Sequence, residues 1–518
     1  MRDDYDAIVI GSGLGGLTAG ALFAQAGHRV LVLEQNSSFG GAATTYHRGA
    51  MTIEASLHET TDPRTTTDPK GEIFQALDLY RDIEFVPVGD FYEVRSPLIG
   101  APLAIPHGID ALDERLTERF PQEAESIRCF LTQIDSIHRA MQMFIEKHDG
   151  MWWLAHFAEL PFRLWPVFRD MRSSVSRVLE RFFGDNEAIK IALAANLPYY
   201  SDDPDKMWWL AYAVAQGGFL HGGGNFIKGG SQVLSNRLVD RIRAEGGEAL
   251  AERSVVEILL DARGGVSGVR HCSRSGGEDA ISNAPVVFAN AAPHVLETML
   301  PTKERERFMT PYRGKPLSIS LFSISLGLKL RPSEIGVSAY STAIIPEWMK
   351  RLTDFSQCAG LLADMPRDRL PAFMLVDYSH IDSGLVDGAL FPMNVVGVDR
   401  LSNWQGVSDA EYQARKTAWI DAVIARLDKE WPGFGAAVVQ KNIATARTMR
   451  DYLNTPEGAI YGFAPNVPDR MPLSGPPRTP KTPIEGLWLA SSYAGFGGFS
   501  GAMGAGGAAA KAALHASG

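Results

Sequence analysis

Residues 7–34 have the sequence AIVIGSGLGGLTAGALFAQAGHRVLVLE, and this stretch decides the fold. The apolar run Ala7–Ile10 is typical of a buried parallel strand. A turn with the pattern G-x-G-x-x-G follows at residues 11–16, and apolar residues then recur at helical spacing as far as Ala26. A second apolar run leads to Glu34. Strand, glycine-rich turn, helix and strand in this order predict the first βαβ unit of a doubly wound α/β sheet.

The glycines of this turn predict a binding site for a dinucleotide. Gly11 permits the tight turn, Gly13 lets the backbone approach a pyrophosphate, and Gly16 allows close packing of helix on strand. The free N–H groups at the helix N-terminus favour phosphate binding. Glu34 would accept hydrogen bonds from ribose hydroxyls and would repel a 2′-phosphate, which argues against NADP but leaves FAD and NAD open. The predicted contacts in this stretch are Gly11, Gly13, Leu14, Gly15, Gly16, Glu34 and Gln35.

Composition narrows the class of protein. The chain has 518 residues, enough for two or three structural units at roughly 150 residues each. Hydrophobic residues make up 45% and charged residues 21%, which supports a large core and excludes a disordered chain. The net charge of -10 argues against a nucleic-acid binder. The cysteines Cys129, Cys272 and Cys358 form no C-x-x-C pair, so we expect no metal site of that kind and a reduced, cytoplasmic location.

Glycine is over-represented and unevenly placed. The chain contains 51 glycines among 518 residues, above the roughly 7% of an average protein. Eight lie between Gly11 and Gly41, seven between Gly217 and Gly230, and seven between Gly495 and Gly507. Glycine is needed where φ is positive or where the backbone closely approaches another group. The three clusters therefore predict one extended ligand that three remote parts of the chain contact.

The residues after Glu34 narrow the cofactor. The segment 38–44, SFGGAAT, carries a Gly-Gly pair and resembles the second signature of the FAD-binding family that includes amine oxidases and phytoene desaturases. Ala42 stands where amine oxidases usually carry Arg, as in carotenoid-desaturase relatives. The segment 52–58, TIEASLH, resembles the next stretch of that family more loosely. The resemblance implies FAD contacts at Gly40, Gly41, Ala42 and Thr44.

Later segments resemble the same family in the same order. They are residues 226–231 (FIKGGS), 286–293 (VVFANAAP), 452–462 (YLNTPEGAIYG) and 486–502 (GLWLASSYAGFGGFSGA). In the last of these, Ser492 stands where the family often has an Asp. The resemblance implies that a strand near Val255 contacts the adenine region through its backbone and that the C-terminal glycine loop passes the isoalloxazine. The implied FAD contacts are Val255, Asn290, Ser491, Ser492, Gly498, Phe499 and Ala502.

The chain is identified as a member of the FAD-dependent phytoene desaturase, carotenoid isomerase and retinol saturase family, within the amine-oxidase-like flavoproteins. The implied fold is α/β, with a glutathione-reductase-like Rossmann domain for FAD and an inserted α+β substrate domain that has a mixed sheet and helices. We expect the FAD-binding domain to comprise residues 1–70, 217–300 and 451–518. The substrate-binding domain is expected to comprise residues 71–216 and 301–450.

The expected substrate domain is rich in large apolar residues. Residues 151–172 combine tryptophan, phenylalanine and leucine with interspersed arginines, which fits either a buried aromatic core helix or an amphipathic surface in peripheral contact with a membrane. Pro161 and Pro166 are predicted to break any long helix there. The stretch Met207–Tyr212 is predicted to line the substrate pocket. Strands are predicted at Ser318–Leu328 and Phe373–Asp377, and a helix at Ala410–Leu427.

The resemblance implies a reaction at C–C or C=C bonds of a hydrophobic, isoprenoid- or polyene-like substrate. Desaturation, isomerisation and saturation all fit, by hydride transfer to or from flavin N5. Two alternatives stay open: an amine-oxidase-like flavoenzyme acting on a small substrate, and a non-enzymatic prenyl-lipid carrier on the same fold. Ala42 counts against the first, and the intact glycine clusters count against the second. The direction of the reaction, the electron acceptor and the oligomeric state stay open here.

Such a reaction also needs a group that gives or takes a proton within hydrogen-bond reach of the substrate. His221 adjoins the middle glycine cluster and is the first choice, followed by His58. Lys228 is predicted to hold a water molecule or the flavin edge. The predicted catalytic set is His221, His58, Lys228 and Tyr461, and the further candidates are Glu54, Tyr199 and Tyr200.

Overall fold

The computed structural model describes residues 4–517 apart from 66–67, 146–149, 275, 277–278, 387, 389 and 469–478. The strands in this part of the chain are β1 (Ala7–Ile10), β2 (Val30–Leu33), β3 (Thr45–Arg48), β4 (Met51–Glu54), β5 (Phe85–Pro87), β6 (Tyr92–Arg95), β7 (Leu103–Ile105), β8 (Asn225–Ile227), β9 (Glu248–Leu250), β10 (Arg253–Leu260), β11 (Val266–Ser273), β12 (Ala280–Asn283), β13 (Val286–Ala289), β14 (Ser320–Leu328), β15 (Ser341–Ile344), β16 (Phe373–Asp377), β17 (Phe391–Asp399), β18 (Val438–Ala444) and β19 (Leu487–Leu489). The helices are α1 (Leu14–Gln25), α2 (Lys70–Ala76), α3 (Ile109–Arg119), α4 (Ala124–Ile145), α5 (Gly150–His156), α6 (Leu160–Asp170), α7 (Val175–Phe183), α8 (Glu187–Ala194), α9 (Trp209–Gly222), α10 (Ser231–Ala244), α11 (Pro293–Met299), α12 (Thr302–Met309), α13 (Phe355–Cys358), α14 (Asp409–Glu430), α15 (Phe434–Ala437), α16 (Ala446–Leu453) and α17 (Gly498–Ser517).

A parallel sheet forms around the glycine-rich turn. Its strand order is β19-β13-β1-β2-β9, and Ile8 of β1 pairs with Leu31 on one side and Val287 on the other. Strands β1, β2 and β13 are buried throughout, which is why their sequences are continuous apolar runs rather than alternating ones. The sheet takes its strands from early, middle and late parts of the chain. The predicted Rossmann-type sheet is confirmed.

Helix α1 packs against α10 and α17, and its contact with α17 is unusually close. Gly506 of α17 lies directly against the carbonyl oxygen of Gly15 in α1. A Cβ on Gly506 would also lie 3.0 Å from the Cβ of Thr18. The two backbones can therefore approach only because small residues occupy the crossing point.

A second, mixed sheet has the strand order β18-β14-β17-β16-β15-β6-β7. Helix α14 packs on one face, and α4, α7, α8 and α9 form a core on the other. The strands predicted at Ser318–Leu328 and Phe373–Asp377 are confirmed as β14 and β16, and the helix predicted at Ala410–Leu427 is confirmed as α14. Sheets and helices are thus present in both parts of the predicted α/β architecture.

The segment 151–172 forms two short helices, α5 and α6, whose apolar side chains face outward. The interpretation of this segment as a buried core helix is therefore wrong. Its apolar residues recur about every three positions along one helical face, and that face stays exposed to solvent. The side chains more than half exposed are Met151 (75%), Leu154 (75%), Phe157 (73%), Phe162 (82%), Trp165 (62%) and Phe168 (54%).

The two prolines of this segment behave differently from each other. Pro161 lies in the first turn of α6, where its missing N–H has no helical partner to lose. The prediction that Pro166 would also break the helix is wrong, because α6 continues through Pro166 to Asp170. Pro166 removes one backbone hydrogen bond without ending the helix.

We expect Gly506→Ala to lower the melting temperature, because an added Cβ would force α17 away from α1. Such overpacking destabilises by about 1–3 kcal/mol. Gly218→Ala in α9 is a matched control, since an added Cβ there meets no atom within 4 Å. It should leave the melting temperature unchanged or raise it slightly, because alanine favours the helix. Equal melting temperatures for Gly506→Ala and the wild type would contradict the close crossing.

Candidate dinucleotide and acid–base site

The N-terminus of α1 is built to receive an anion. Gly11 ends β1 with φ +84°, and Gly13 precedes the helix in extended conformation. No side chain among the described residues caps α1, and its first turn holds no acidic residue. The free backbone N–H groups and the positive end of the helix dipole therefore face the turn, where a phosphate would be stabilised.

Residues from three remote segments converge on this turn. The Gly40 N–H donates to the Ser12 carbonyl oxygen at 3.0 Å, and Gly41 lies against Gly13. Asn290, at the end of β13, donates from Nδ2 to the Ala490 carbonyl oxygen at 2.6 Å. Its Oδ1 occupies the space that a Cβ of Gly13 would need. The predicted contacts Gly13, Gly40, Gly41 and Asn290 are thus brought together.

Gly15 and Gly16 have no side chain, so other backbone segments lie directly against them. Gly15 lies against the carbonyl oxygens of Ala490 and Ala502, so the start of α1 touches both the end of β19 and the first turns of α17. Gly16 lies against the Gly11 carbonyl and Asn290. A larger residue at Gly15 would separate the first and last motifs of the chain, and a larger residue at Gly16 would displace Asn290.

Glu34 lies at the end of β2 and is almost completely buried. Its Oε2 accepts hydrogen bonds from the Ser12 N–H at 2.8 Å and the Ser12 hydroxyl at 2.7 Å, and its Oε1 accepts from the Asn36 N–H at 2.8 Å. These donors fix the carboxylate beside the glycine turn. A carboxylate has about four acceptor positions, so capacity remains for ribose hydroxyls. Gln35 follows it and is half-buried.

The C-terminal motif brings an unsatisfied hydroxyl to this region. Ser491 follows β19, is buried, and its Oγ has no hydrogen-bond partner among the described residues. Ser492 starts a short 3₁₀ turn, and Gly498 opens α17 with φ +78°. Phe499 and Ala502 are half-buried near the start of α17. A buried hydroxyl without a partner indicates that a bound group completes its hydrogen bonding.

The other predicted dinucleotide contacts lie beside these residues. Thr44 donates from Oγ1 to the Gly41 carbonyl at 2.9 Å, whereas Ala42 is exposed. Val255 is buried in β10, two residues after Arg253, whose N–H donates to the Glu34 carbonyl at 2.7 Å. No bound dinucleotide tests these contacts, so they stay predictions.

Glu54 ties the β3–β4 hairpin to the start of α10. It accepts from the Ser231 N–H at 2.8 Å, the Ser231 hydroxyl at 2.7 Å and the Thr45 hydroxyl at 2.7 Å. Gly230 has φ +86° and lacks the Cβ that would collide with Glu54. Burial raises the pKa of Glu54, although these hydrogen bonds oppose the shift. The last glycines of the middle cluster therefore make room for a buried carboxyl.

His58 follows this hairpin in an enclosed aromatic setting. Its ring lies 5.3 Å from that of Tyr199 and 6.5 Å from that of Tyr378, measured between centroids. Its Nε2 is 3.4 Å from Nδ2 of Asn394, and its carbonyl accepts a hydrogen bond from the Tyr340 hydroxyl. Burial lowers the pKa of His58 to about 4, so the imidazole is neutral at physiological pH.

Tyr461 links this aromatic group to the C-terminal glycine loop. Gly497 packs against the Tyr461 ring and Cβ, where a larger residue would not fit. Burial raises the pKa of Tyr461 to about 12, and Tyr461 is close enough to Tyr199 to help raise the pKa of that hydroxyl. His58, Tyr199 and Tyr461 therefore form one group of neutral side chains next to the loop.

The other two predicted catalytic residues lie apart from this group. His221 donates from Nε2 to Asp135 Oδ1 at 2.9 Å and stacks on His138, with its side chain partly exposed. Lys228 pairs with Asp382 at 2.7 Å and is also partly exposed. The structure thus brings His58 and Tyr461 together but not His221 and Lys228.

The stretch predicted to line the pocket is divided between core and surface positions. Trp209 and Tyr212 are completely buried in the helical core, and the Tyr212 hydroxyl donates to the Asn196 side chain at 2.9 Å. Trp208 is half-buried and donates from Nε1 to the Met171 carbonyl at 2.9 Å.

Glu59 is a residue that the sequence patterns missed. It follows His58 directly, and its Oε2 is enclosed without a hydrogen-bond partner among the described residues. Burial raises the pKa of Glu59 well above its ordinary value. Only its position next to a candidate histidine could have drawn attention to it, since no motif includes it.

The chain resembles known proteins over most of its length. The fold and site define a dinucleotide-binding protein of the Rossmann type with a second, mixed-sheet unit. A family profile described as "NAD(P)-binding Rossmann-like domain" matches residues 9–70. The chain is 23% identical to human all-trans-retinol 13,14-reductase, over 94% of this chain and 82% of the relative. It is 25% identical to the chloroplastic prolycopene isomerase of Daucus carota, over 94% and 76% respectively. Over most of its length the chain is therefore similar to retinol reductases and carotenoid isomerases.

Solved structures share the fold. An oxidoreductase from Methanosarcina mazei matches with a TM-score of 0.64 and 14% identity, covering 98% of this chain and 99% of the other. A putrescine oxidase triple mutant matches with a TM-score of 0.63 and 13% identity, covering 99% and 98%. Within the residues described, no helix combines the length and apolar character required to cross a membrane.

We expect the neutral state of His58 to make stability depend on pH. Its folded pKa is depressed, so the stabilisation is complete above its ordinary pKa of 6.5 and is lost as pH falls towards about 4. The loss amounts to about 3 kcal/mol. His58→Gln should therefore show a smaller fall in melting temperature between pH 7 and 4.5 than the wild type, in the absence of cofactor. The exposed His515→Gln should follow the wild type. Parallel curves for wild type and His58→Gln would contradict a buried neutral imidazole.

Proposed function

We propose that this protein is an FAD-dependent oxidoreductase that acts on C–C or C=C bonds of a hydrophobic, isoprenoid- or polyene-like substrate. The observation that carries the proposal is that the C-terminal glycine loop contacts a group of neutral side chains. Gly497 of the loop packs on Tyr461, which belongs to one group with His58 and Tyr199. The relatives support it, since the retinol and prolycopene in their names are isoprenoid polyenes.

The residues present fit FAD. The uncapped N-terminus of α1 would hold the pyrophosphate and Glu34 the ribose, while the unpartnered Ser491 hydroxyl lies at the C-terminal motif. When bound, the flavin supplies hydride transfer, which no side chain can perform. The start of α17 beside Gly497 and Gly498 would place helix N–H groups towards negative charge on the ring.

We assign the FAD-binding domain to residues 1–70, 217–300 and 451–518, and the substrate-binding domain to residues 71–216 and 301–450. All five strands of the parallel sheet fall in the first set, and all seven strands of the mixed sheet fall in the second. The group around His58 and Tyr461 then lies where the two sets meet.

The neutral side chains around His58 favour an apolar substrate. Burial raises the pKa values of Tyr199, Tyr340 and Tyr378 well above the ordinary value, so these rings carry no charge. Two of their hydroxyls are turned to backbone: Tyr340 donates to the His58 carbonyl, and Tyr378 donates to the Leu57 carbonyl at 3.1 Å. The Tyr378 ring packs on Phe226 and Tyr340, so the surroundings of His58 are apolar as well as uncharged.

The test is whether a polyene changes the flavin spectrum. Purified protein, reconstituted with FAD if necessary, should be yellow. Under anaerobic conditions a retinoid or carotenoid should be converted or should alter the flavin absorbance, whereas putrescine and cyclohexylamine should not. A protein that cannot be reconstituted with FAD would refute the flavoenzyme. Bleaching by amines alone would refute the polyene substrate.

We further propose that the exposed face of α5 and α6 binds an anionic lipid bilayer, from which an apolar substrate would be drawn. Arg163 and Arg169 lie among the exposed apolar side chains and are themselves 47% and 41% exposed, although they also pair with Glu159 and Asp170. Aromatic and aliphatic side chains would enter the headgroup boundary while guanidinium groups contact anionic headgroups. This charge pattern favours a bilayer over a neutral apolar partner.

We expect the double variant Phe162→Ser/Trp165→Ser to bind vesicles of phosphatidylcholine and phosphatidylglycerol at least tenfold more weakly than the wild type in sedimentation. Each large apolar side chain contributes about 1.5–3 kcal/mol when buried. Val439→Ser, which alters a side chain 55% exposed on another surface, is the control and should bind as the wild type does. Equal binding by the double variant would refute the proposal, and a wild-type dimer lost in this variant would instead identify a second copy as the occupant.

A further inference from the structure

Glu59 occupies a space that the surrounding backbone keeps open. The neighbouring Thr60 is fixed to β8, with its N–H donating to the Asn225 carbonyl at 2.7 Å. Gly224 lies against the carboxyl, and a Cβ there would collide with Oε2 and come within 3.0 Å of Val88 and His107. The carboxyl is therefore positioned by main chain on two sides.

Among the side chains that the structure describes, none places a cation beside this carboxyl. His107 is the nearest basic group, and both of its ring nitrogens are engaged. Its Nε2 accepts from the Gly224 N–H at 3.0 Å, and its Nδ1 lies 3.1 Å from the Phe219 carbonyl, to which it donates. Burial lowers the pKa of His107 to about 4, so it stays neutral beside Glu59.

The other titratable groups facing Glu59 are tyrosines and the adjacent His58. A negative charge on Glu59 would raise the pKa values of four tyrosines, which places them within electrostatic reach: Tyr92, Tyr199, Tyr200 and Tyr340. The Tyr92 hydroxyl is engaged with the Ala192 carbonyl at 3.1 Å, and Tyr340 is engaged with His58. The Tyr199 hydroxyl, like Glu59 Oε2, is buried without a partner among the described residues.

Glu59 Oε2 and the Tyr199 hydroxyl are two enclosed polar atoms in one neighbourhood that have no partner among the described residues, although each residue as a whole is partly exposed. Burial of a carboxyl or hydroxyl is normally repaid by a hydrogen bond, so exceptions need an explanation. The aromatic group connects them to the predicted flavin loop, because Tyr199 lies by His58 and Tyr461, and Tyr461 packs on Gly497. A protonated acid held at such a place is suited to give a proton to a substrate.

We propose that Glu59 is the catalytic acid that protonates a substrate carbon during reduction of a C=C bond. This assignment rests on the proposed function. The Glu59 O–H bond breaks and a C–H bond forms at one carbon, while a hydride from a reduced flavin forms the C–H bond at the other. The C=C bond becomes a single bond, two electrons pass from the flavin to the substrate, and solvent returns a proton to the Glu59 carboxylate.

Infrared spectroscopy of the protein without cofactor tests the protonation state directly. Wild-type protein at pH 7 should show the C=O stretch of a protonated, buried carboxyl that Glu59→Gln lacks. Glu347→Gln, at an exposed loop position, should retain this band. Absence of a Glu59-dependent band in the wild type would overturn the assignment, whatever the cofactor proves to be.

Turnover in D₂O tests the transfer itself. With reduced flavin and a polyene, the wild type should place one solvent deuteron on a product carbon. Glu59→Gln should be at least 100-fold slower with flavin binding unchanged, and Glu59→Asp should recover part of the rate. The wild-type rate should be constant at low pH and fall as pH rises through the raised pKa, whereas Glu59→Gln should lose this dependence. If the wild type binds no flavin or converts no polyene, the proposed function fails; if Glu59→Gln matches a converting wild type, only the Glu59 assignment fails.

Discussion

The close contact of α1 with carbonyl oxygens from the C-terminal motif is the constraint on which the rest of the structure depends. Gly15 lies directly on the carbonyls of Ala490 and Ala502, and Gly13 leaves space for Asn290. Any side chain at these positions would push away the segments that complete the predicted dinucleotide site around residues 11–16. The absence of side chains at these glycines thus fixes where β13, β19 and α17 lie, and Tyr461 is positioned with them because it packs on Gly497.

Local sequence patterns were sufficient to predict an element of the structure where one physical cause determines it. The continuous apolar runs of β1, β2 and β13 predict buried parallel strands because both faces of that sheet are covered. The glycine spacing predicts the turn because a helix N-terminus must meet both a strand and an anion there. The resemblance of the later motifs predicted the order of the segments, which periodicity alone does not contain.

The sequence patterns failed to predict the surroundings of a side chain where these depend on which other part of the fold covers it. An apolar stripe such as that of α6 has the same spacing whether protein or solvent covers it, so residues 151–172 could not be placed from sequence. His221 is close to the glycines in sequence, yet it points towards Asp135 and His138. Glu59 is the opposite case, because no sequence motif includes it. Its enclosed carboxyl oxygen can be recognised only from the groups that distant segments place around it.

The origin of the parallel sheet in early, middle and late segments has a consequence for biosynthesis. β19 pairs with β13, and α17 covers α1, so the sheet and its helical cover are completed only after residues beyond 489 have been synthesised. Until then β13 has an unpaired edge and α1 an uncovered apolar side. Contacts between such distant segments form slowly and leave apolar surface exposed in the meantime. The parallel sheet and the turn that it supports can therefore reach their final arrangement only once the C-terminal motif has been synthesised.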